Sequence, residues 1–220
     1  MKFYPLVSVI VTTKNEVKNI ANCLKSVKQQ TYPREKIEII VVDNNSQDKT
    51  ITLAKKFTHK IYNFDSERSA QRNFGVKKSQ GKYILYLDAD MALATKVIEQ
   101  SVLKLENSNL AALFLPEIIL GDSYWAKVRN FERGFYNGTV IDAVRFIKRD
   151  AFIKSGGFDE TLTGSEDWDL DKKIRQIGKV AVLNKPQAVI YHNEKNFNLL
   201  NYLKKKNYYA KSFTAYIKKW

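Results

Sequence analysis

Two acidic clusters carry most of the chemistry this sequence can offer. Asp88-Ala89-Asp90 sets two carboxylates close together behind the apolar run Leu85-Tyr86-Leu87. Two hard oxygen ligands beside a cleft suit Mg2+ or Mn2+, which shares its remaining positions with phosphate oxygens and water. Taken alone, the same pattern is more often a solvated turn with an aspartate cap. The second cluster is Gly164-Ser165-Glu166-Asp167-Trp168-Asp169-Leu170. Acids in a first helical turn complement the macrodipole, but three in four positions around a tryptophan exceed what capping requires. A carboxylate there can accept a proton from a hydroxyl nucleophile as a general base. His192 follows a short apolar run and offers an imidazole nitrogen to a metal, although a lone histidine is more often structural.

The apolar pattern gives the elements that must position these groups. Leu6 to Val11 reads as a buried strand, and Val17, Ile20, Leu24 and Val27 then fall at helical spacing until Tyr32-Pro33. Ile37 to Val42 is a second strand, ending at the loop and cap cluster Asp43-Asn44-Asn45-Ser46. Ile51, Ala54 and Phe57 suggest a short helix, Lys60 to Tyr62 a short strand, and Ala70 to Lys78 a helix that stops at Gly81. Tyr83 to Leu87 is a further strand. Such alternation implies a parallel sheet with right-handed crossovers, whose ligands bind at the carboxyl ends of the strands. Thr12-Thr13, Asp43, Asp88 and Asp90 all fall at those ends.

The second half is less regular. Leu110 to Leu115 reads as a strand, Tyr124 to Tyr136 as a mixed aromatic and charged helix, and Val140 to Ile147 as another strand. After the turn Gly156-Gly157-Phe158-Asp159-Glu160 comes a helix from Asp167 to Ile177, closed by Gly178, and short strands at Val180 to Leu183 and Ala188 to Tyr191. No linker interrupts the chain before residue 195.

Composition excludes several classes. With 220 residues and 44% hydrophobic side chains, the chain can bury a sizeable core and is not disordered. Cys23 is the only cysteine, which excludes a disulfide-stapled fold and fits a reducing compartment; its helical setting makes it a small buried apolar side chain. No apolar run approaches the ~18–20 residues of a membrane span. The start Met-Lys-Phe-Tyr-Pro lacks the pattern of a signal peptide. The net charge of +14 calls for an anionic partner, yet seven lysines and no acid lie in residues 195–220, so half of that charge belongs to the tail. Together with the acidic clusters, this argues against a nucleic-acid-binding body.

Five motifs now stand in order: Val7-Ser8-Val9-Ile10-Val11-Thr12-Thr13-Lys14-Asn15-Glu16, Val41-Val42-Asp43-Asn44-Asn45-Ser46, Arg72-Asn73-Phe74-Gly75, Asp88-Ala89-Asp90, and Gly156-Gly157-Phe158-Asp159-Glu160 with Glu166-Asp167-Trp168-Asp169-Leu170. Over residues 6–193 the chain resembles an inverting family-2-type glycosyltransferase of the GT-A fold. The resemblance implies an α/β architecture: a Rossmann-like nucleotide-binding sheet with helices on both faces (1–90), a mixed sheet in the acceptor half (91–194) and a C-terminal amphipathic helix (195–220). It implies a nucleotide site at Thr12, Glu16 and Asp43, with a UDP-sugar as leading donor because an aspartate can accept the ring N–H of uracil. Arg72 would approach the diphosphate or the base. Asp88 would contact the ribose or the metal, and Asp90 and His192 would hold Mn2+ or Mg2+. Asp167 would be the catalytic base, with Glu166 and Trp168 shaping the acceptor pocket.

Departures from the wider family narrow the activity. No Gln-x-x-Arg-Trp motif of processive synthases follows the acidic cluster, and Met91-Ala92-Leu93-Ala94 stands where polyprenyl-phosphate sugar synthases carry a Gln-His-Pro-Pro-like run. A sugar-nucleotide pyrophosphorylase would want a glycine-rich basic loop after the first strand, which is absent. Addition of one sugar to a glycan or lipid-linked glycan fits better. From Asn198 the tail repeats Tyr-apolar-Lys with period seven. As a helix it sets Leu199, Tyr202, Leu203, Tyr209, Ala210, Phe213, Tyr216, Ile217 and Trp220 on one arc, against Lys204, Lys205, Lys211, Lys218 and Lys219, while Lys206 intrudes on the apolar arc. That pattern suits either a helix packed on the core or one lying on an anionic membrane. The second reading places the protein in the cytoplasm, peripheral on the inner face of the cell membrane.

Overall fold

The computed structural model describes residues 4–194, 199–210 and 212–220, without the side chains at 201 and 205. Its first half follows the alternation of the sequence: β1 (Val7–Thr13), α1 (Ile20–Lys28), β2 (Ile37–Asp43), α2 (Thr50–Ala54), β3 (Ile61–Asn63), α3 (Arg68–Lys78) and β4 (Tyr83–Asp88). The four strands are parallel, with β1 between β2 and β4. The apolar runs of β1, β2 and β4 are buried on both faces, as a sheet covered by crossover helices requires, while the edge strand β3 is only half-buried.

The second half brings β5 (Met91–Leu93), α4 (Val97–Glu106), β6 (Leu110–Phe114), β7 (Glu117–Leu120), α5 (Tyr124–Gly134), β8 (Val144–Lys148) and α6 (Arg149–Lys154). These are followed by α7 (Glu166–Ile177), β9 (Lys179–Val182) and β10 (Ile190–Asn193). The main sheet has seven strands in the order β3-β2-β1-β4-β8-β6-β9 and becomes mixed where β8 pairs antiparallel with β4. A second sheet, β5-β10-β7, stands beside it. One apolar core lies under α1 and α4, the other under α3, α6 and α7. Gly75 lets α3 approach β1 closely, since a Cβ there would sit 2.5 Å from Ile10 Cγ2. Cys23 is fully buried.

The structure departs from the sequence reading in three places. Helices α4 and α6 and strands β5 and β7 were not anticipated, because each is short or interrupts its apolar run with charge. Residues 140–143 are a turn, not strand: the Asp142 amide donates to Thr139 O, and its carboxylate accepts from the Gly138 amide and from Arg133. The tail is two helices, α8 (Leu199–Ala210) and α9 (Phe213–Lys219), not one. Ser212 separates them, bonding both the amide and the carbonyl of Thr163. Tyr216 is buried, and Lys219, though exposed, pairs with Asp159 and Asp169. Asn198, Lys211 and the side chain of Lys205 lie outside the described residues. Among the described residues no helix is long and apolar enough to cross a membrane.

Candidate active site

The carboxyl ends of β1 and β4, the α3 amino terminus, α5, α7, β10 and α8 surround a cleft of about 660 Å³. The loops after β1 and β2 are tied to each other: Asn15 N donates to Ser46 Oγ at 2.8 Å, Gln47 N to Asn15 Oδ1 at 2.8 Å, and Glu16 N to Thr50 Oγ1 at 2.8 Å. Asn15 and Asn45 both adopt positive φ, a conformation asparagine tolerates well. Thr12 and Glu16 thereby line the cleft. Asp43 is buried at the end of β2, accepting from the amide and hydroxyl of Ser46, and faces a neighbouring hollow with Asn45, Ile51 and Asn63.

Arg68 and Arg72 stand one turn apart on α3. Arg72 is only 1% exposed. It donates to Asp88 Oδ1 at 2.8 Å and Asp167 Oδ1 at 3.1 Å, and its guanidinium lies 4.5 Å from the Tyr86 ring and 5.1 Å from the Phe158 ring. It therefore lies deeper than a diphosphate ligand would. Arg68 is the arginine of α3 that lines the cleft. Asp88 faces three guanidinia: Arg72, Arg68 at 4.0 Å and Arg145 at 3.9 Å. Burial opposes its charge, but these arginines outweigh burial and hold its carboxyl well below the usual range.

Asp90 and His192 meet at the other side of the cleft, Oδ2 to Nε2, at 3.1 Å. Strand β10 brings the histidine there by pairing antiparallel with β5, in register with Met91. Burial lowers the imidazole pKa, but the hydrogen bond to Asp90 and the charges of Asp90, Glu117 and Glu194 raise it overall. Asp90 Oδ1 is buried and has no hydrogen-bond partner. An orphaned carboxylate oxygen beside an imidazole fits a divalent cation that takes its remaining ligands from outside the protein. Asp88 does not complete that pair, and among the described residues no group of three His, Cys, Asp or Glu side chains could enclose a metal.

Asp167, in the first turn of α7, lines the cleft. Arg72 and the Tyr86 hydroxyl, the latter at 3.0 Å, both donate to its Oδ1. Glu166 is sunk away from the cleft, 1% exposed and paired with Arg68. The acceptor-pocket role expected of it does not match that position; it anchors α7 to α3. Trp168 does line the cleft, edge-on to Phe213 and Tyr216 of α9.

Sequence reasoning missed Glu117, Arg133 and Arg145. Arg145 Nε donates to Glu117 Oε1 at 2.6 Å, Arg133 Nε to Glu117 Oε2 at 3.2 Å, and Glu117 Oε2 lies 3.9 Å from His192 Nδ1. A continuous ionic chain thus runs Asp167–Arg72–Asp88–Arg145–Glu117–His192–Asp90. The available signal was charge inside apolar strands, in Pro116-Glu117-Ile118-Ile119 and Val144-Arg145-Phe146-Ile147. Tyr209 and Lys206 of α8 also line the cleft, so the tail forms part of its wall.

Comparison with known proteins shows the fold and the family of the chain. Glycosyltransferase AglE of Haloferax volcanii is 39% identical over 105 residues, covering 44% of this chain and 34% of AglE. The mannosyltransferase PcManGT from Pyrobaculum calidifontis, solved in complex with GDP-Man and Mn2+, matches with a TM-score of 0.77 at 22% identity. That match covers 98% of this chain and 65% of PcManGT. Residues 1–349 of Staphylococcus aureus TarS, in complex with UDP-GlcNAc, match with a TM-score of 0.73 at 19% identity, over 89% of this chain and 60% of that one. The chain thus spans less than two thirds of each of these relatives. The shared fold is GT-A. The sequence also matches glycosyl transferase family 2 from residue 8 to residue 159, from the first strand through the turn that precedes α7. Strand-end motifs, fold and family match converge, and the chain belongs to glycosyl transferase family 2.

Proposed function

We propose that this glycosyltransferase moves one sugar from a nucleotide sugar, a UDP-sugar first among candidates, to a hydroxyl of a glycan or lipid-linked glycan. The reading is inverting, non-processive and dependent on Mn2+ or Mg2+. The observation that carries it is the sharing of one cleft by Asp167 on one side and the Asp90–His192 pair on the other.

Thr12 and Glu16 would hold the nucleotide, with Asp43 behind them at the base end and Asp88 towards the ribose. Asp90 and His192 would hold the metal, which when bound neutralises charge on the leaving diphosphate. Arg68 adds a guanidinium on the same side, in reach of phosphate oxygens. Asp167 takes the proton of the acceptor hydroxyl as that oxygen attacks the anomeric carbon from the face opposite the diphosphate. A single displacement inverts the anomeric configuration. With both Arg72 and Tyr86 fixed on Oδ1, the carboxylate is oriented and Oδ2 is the oxygen for the proton. Trp168 and Tyr209 give the acceptor side apolar ring surface. Peripheral contact with an anionic cytoplasmic membrane face belongs to the same reading, supported by the tail lysines.

The test is a thermal-shift screen of UDP-, GDP- and other nucleotide sugars, with Mn2+, Mg2+ or a chelator. A ligand bound only by the native state raises the Tm. Metal-dependent stabilisation by one nucleotide class is expected; stabilisation by none sinks the donor assignment.

A further inference from the structure

Helix α5 has two unlike faces. Its inner face serves the cleft: Ala126 is buried, Asn130 Oδ1 accepts from the Ile119 amide at 2.8 Å, and Arg129 and Arg133 line the cavity. Its outer face carries Tyr124, Val128, Phe131 and Phe135 at intervals of four, three and four residues, which superposes them on one narrow arc. Tyr124 and Phe131 are each 72% exposed and Phe135 is 67% exposed. Val140 and Ile141, in the turn that follows, are exposed as well. Neither solvation nor the fold explains a row of outward aromatic rings on a helix whose other side holds the active site.

Two further observations indicate what covers this ridge. Arg129 donates to the Tyr202 hydroxyl at 2.9 Å and stacks 4.6 Å from its ring, so α8 lies against α5. Near that contact α8 exposes Leu199, Leu200 and Leu203, next to the exposed Lys204. Lys127, also exposed, flanks the ridge on α5 itself. A second copy of the chain would set two patches that carry the same lysines face to face. An anionic lipid surface would meet them with opposite charge and take the rings into its headgroup boundary.

We propose that the α5 ridge is a membrane-docking surface that inserts into an anionic bilayer. The contact then rests on apolar insertion beside the cleft wall, with the tail lysines in support. It deepens the reading of a lipid-linked acceptor and rests on that reading only for its purpose, since the same helix that enters the bilayer lines the cleft.

The experiment is sedimentation with vesicles of phosphatidylcholine, with and without phosphatidylglycerol, for the full chain and for the double variants F131E/F135E and F131S/F135S. The wild-type chain should sediment with the phosphatidylglycerol vesicles. Both double variants should bind about tenfold or more weakly, with Tm unchanged because both rings are exposed. They should also keep any stabilisation by nucleotide sugars. A wild-type chain that stays in the supernatant at low salt overturns the proposal, as does equal binding by the variants. Velocity sedimentation showing a dimer that the variants dissolve, without vesicle binding, assigns the ridge to self-association and also overturns it. Vesicle binding without nucleotide-sugar stabilisation would instead count against the proposed function and leave the docking surface standing.

Discussion

Arg72 and Asp167 meet across 95 residues of chain, guanidinium NH1 to carboxylate Oδ1 at 3.1 Å. Tyr86, on the strand beneath, donates to the same oxygen. The carboxylate is thereby oriented before any acceptor arrives. In Asp167→Asn the side chain keeps its shape and its Oδ1 acceptor but cannot take a proton. Donor affinity should be nearly unchanged while turnover falls by about 10²–10⁴-fold. Calorimetry of donor binding and single-turnover transfer measure the two separately. Near-normal transfer would move the base to another carboxylate.

Asp90→Ala removes the orphaned Oδ1 and the partner of His192 together. The expected result is loss of metal-dependent nucleotide binding in a folded protein, since the side chain is partly exposed and closes no apolar core. Titration of UDP and GDP with and without Mn2+ reads this directly. Undiminished, metal-dependent binding by the variant would take Asp90 out of the metal site.

Glu117 sits buried between Arg133 and Arg145. Removing one partner of a buried ionic group leaves charge uncompensated, which costs on the order of 3–5 kcal/mol. Glu117→Ala should lose about that much in urea unfolding, and Glu117→Gln, which retains an acceptor oxygen, less. A loss below about 1 kcal/mol for the alanine variant would mean that the two arginines find other partners.

The tail has a pH signature. Burial raises the Asp159 carboxyl, but hydrogen bonds from Lys219 and Thr161 prevail and lower its pKa from 3.8 to about 2. A depressed folded-state pKa gives stability that is fully present above the unfolded value and is lost as pH falls through the folded one. Docking of α9 should therefore hold above about pH 4 and weaken towards pH 2, with proteolysis in the 195–220 segment rising over that window. Asp159→Asn should remove the dependence; an identical profile in that variant would assign the transition to another group.

How far the sequence foretold this molecule differs between its halves. The first half was legible because each β1–β4 strand is a compact apolar run ending in polar residues, and crossover helices show their own period. Asp167 and Asp90, proposed as base and metal ligand, stood out as members of acidic clusters at helix and strand ends. Glu117, Arg133 and Arg145 were not, because their partners are distant in sequence and each reads locally as an isolated charge. The break at Ser212 was hidden for a similar reason: the helical period continues through it, and only the Thr163 backbone, 49 residues away, interrupts it. Arg72 was expected at the diphosphate or the base, but it lies deeper, enclosed by the Tyr86 and Phe158 rings.

The antiparallel pairing of β8 with β4 affects the order in which the protein takes shape. As the chain emerges during synthesis, β1 to β4 can form their parallel contacts early, each strand joining a neighbour already made. The sheet then waits with β4 as an open edge until residues 144–148 arrive, and α7 follows later still. Until then Arg72 has Asp88 but lacks Asp167, and the Tyr86 hydroxyl lacks its acceptor. Residues 144–148 therefore cover an edge that could otherwise associate with other chains, and α7 then brings Asp167 to Arg72 and Tyr86. Substitutions that slow β8 docking should reduce the yield of native enzyme more than they reduce the activity of the molecules that do fold.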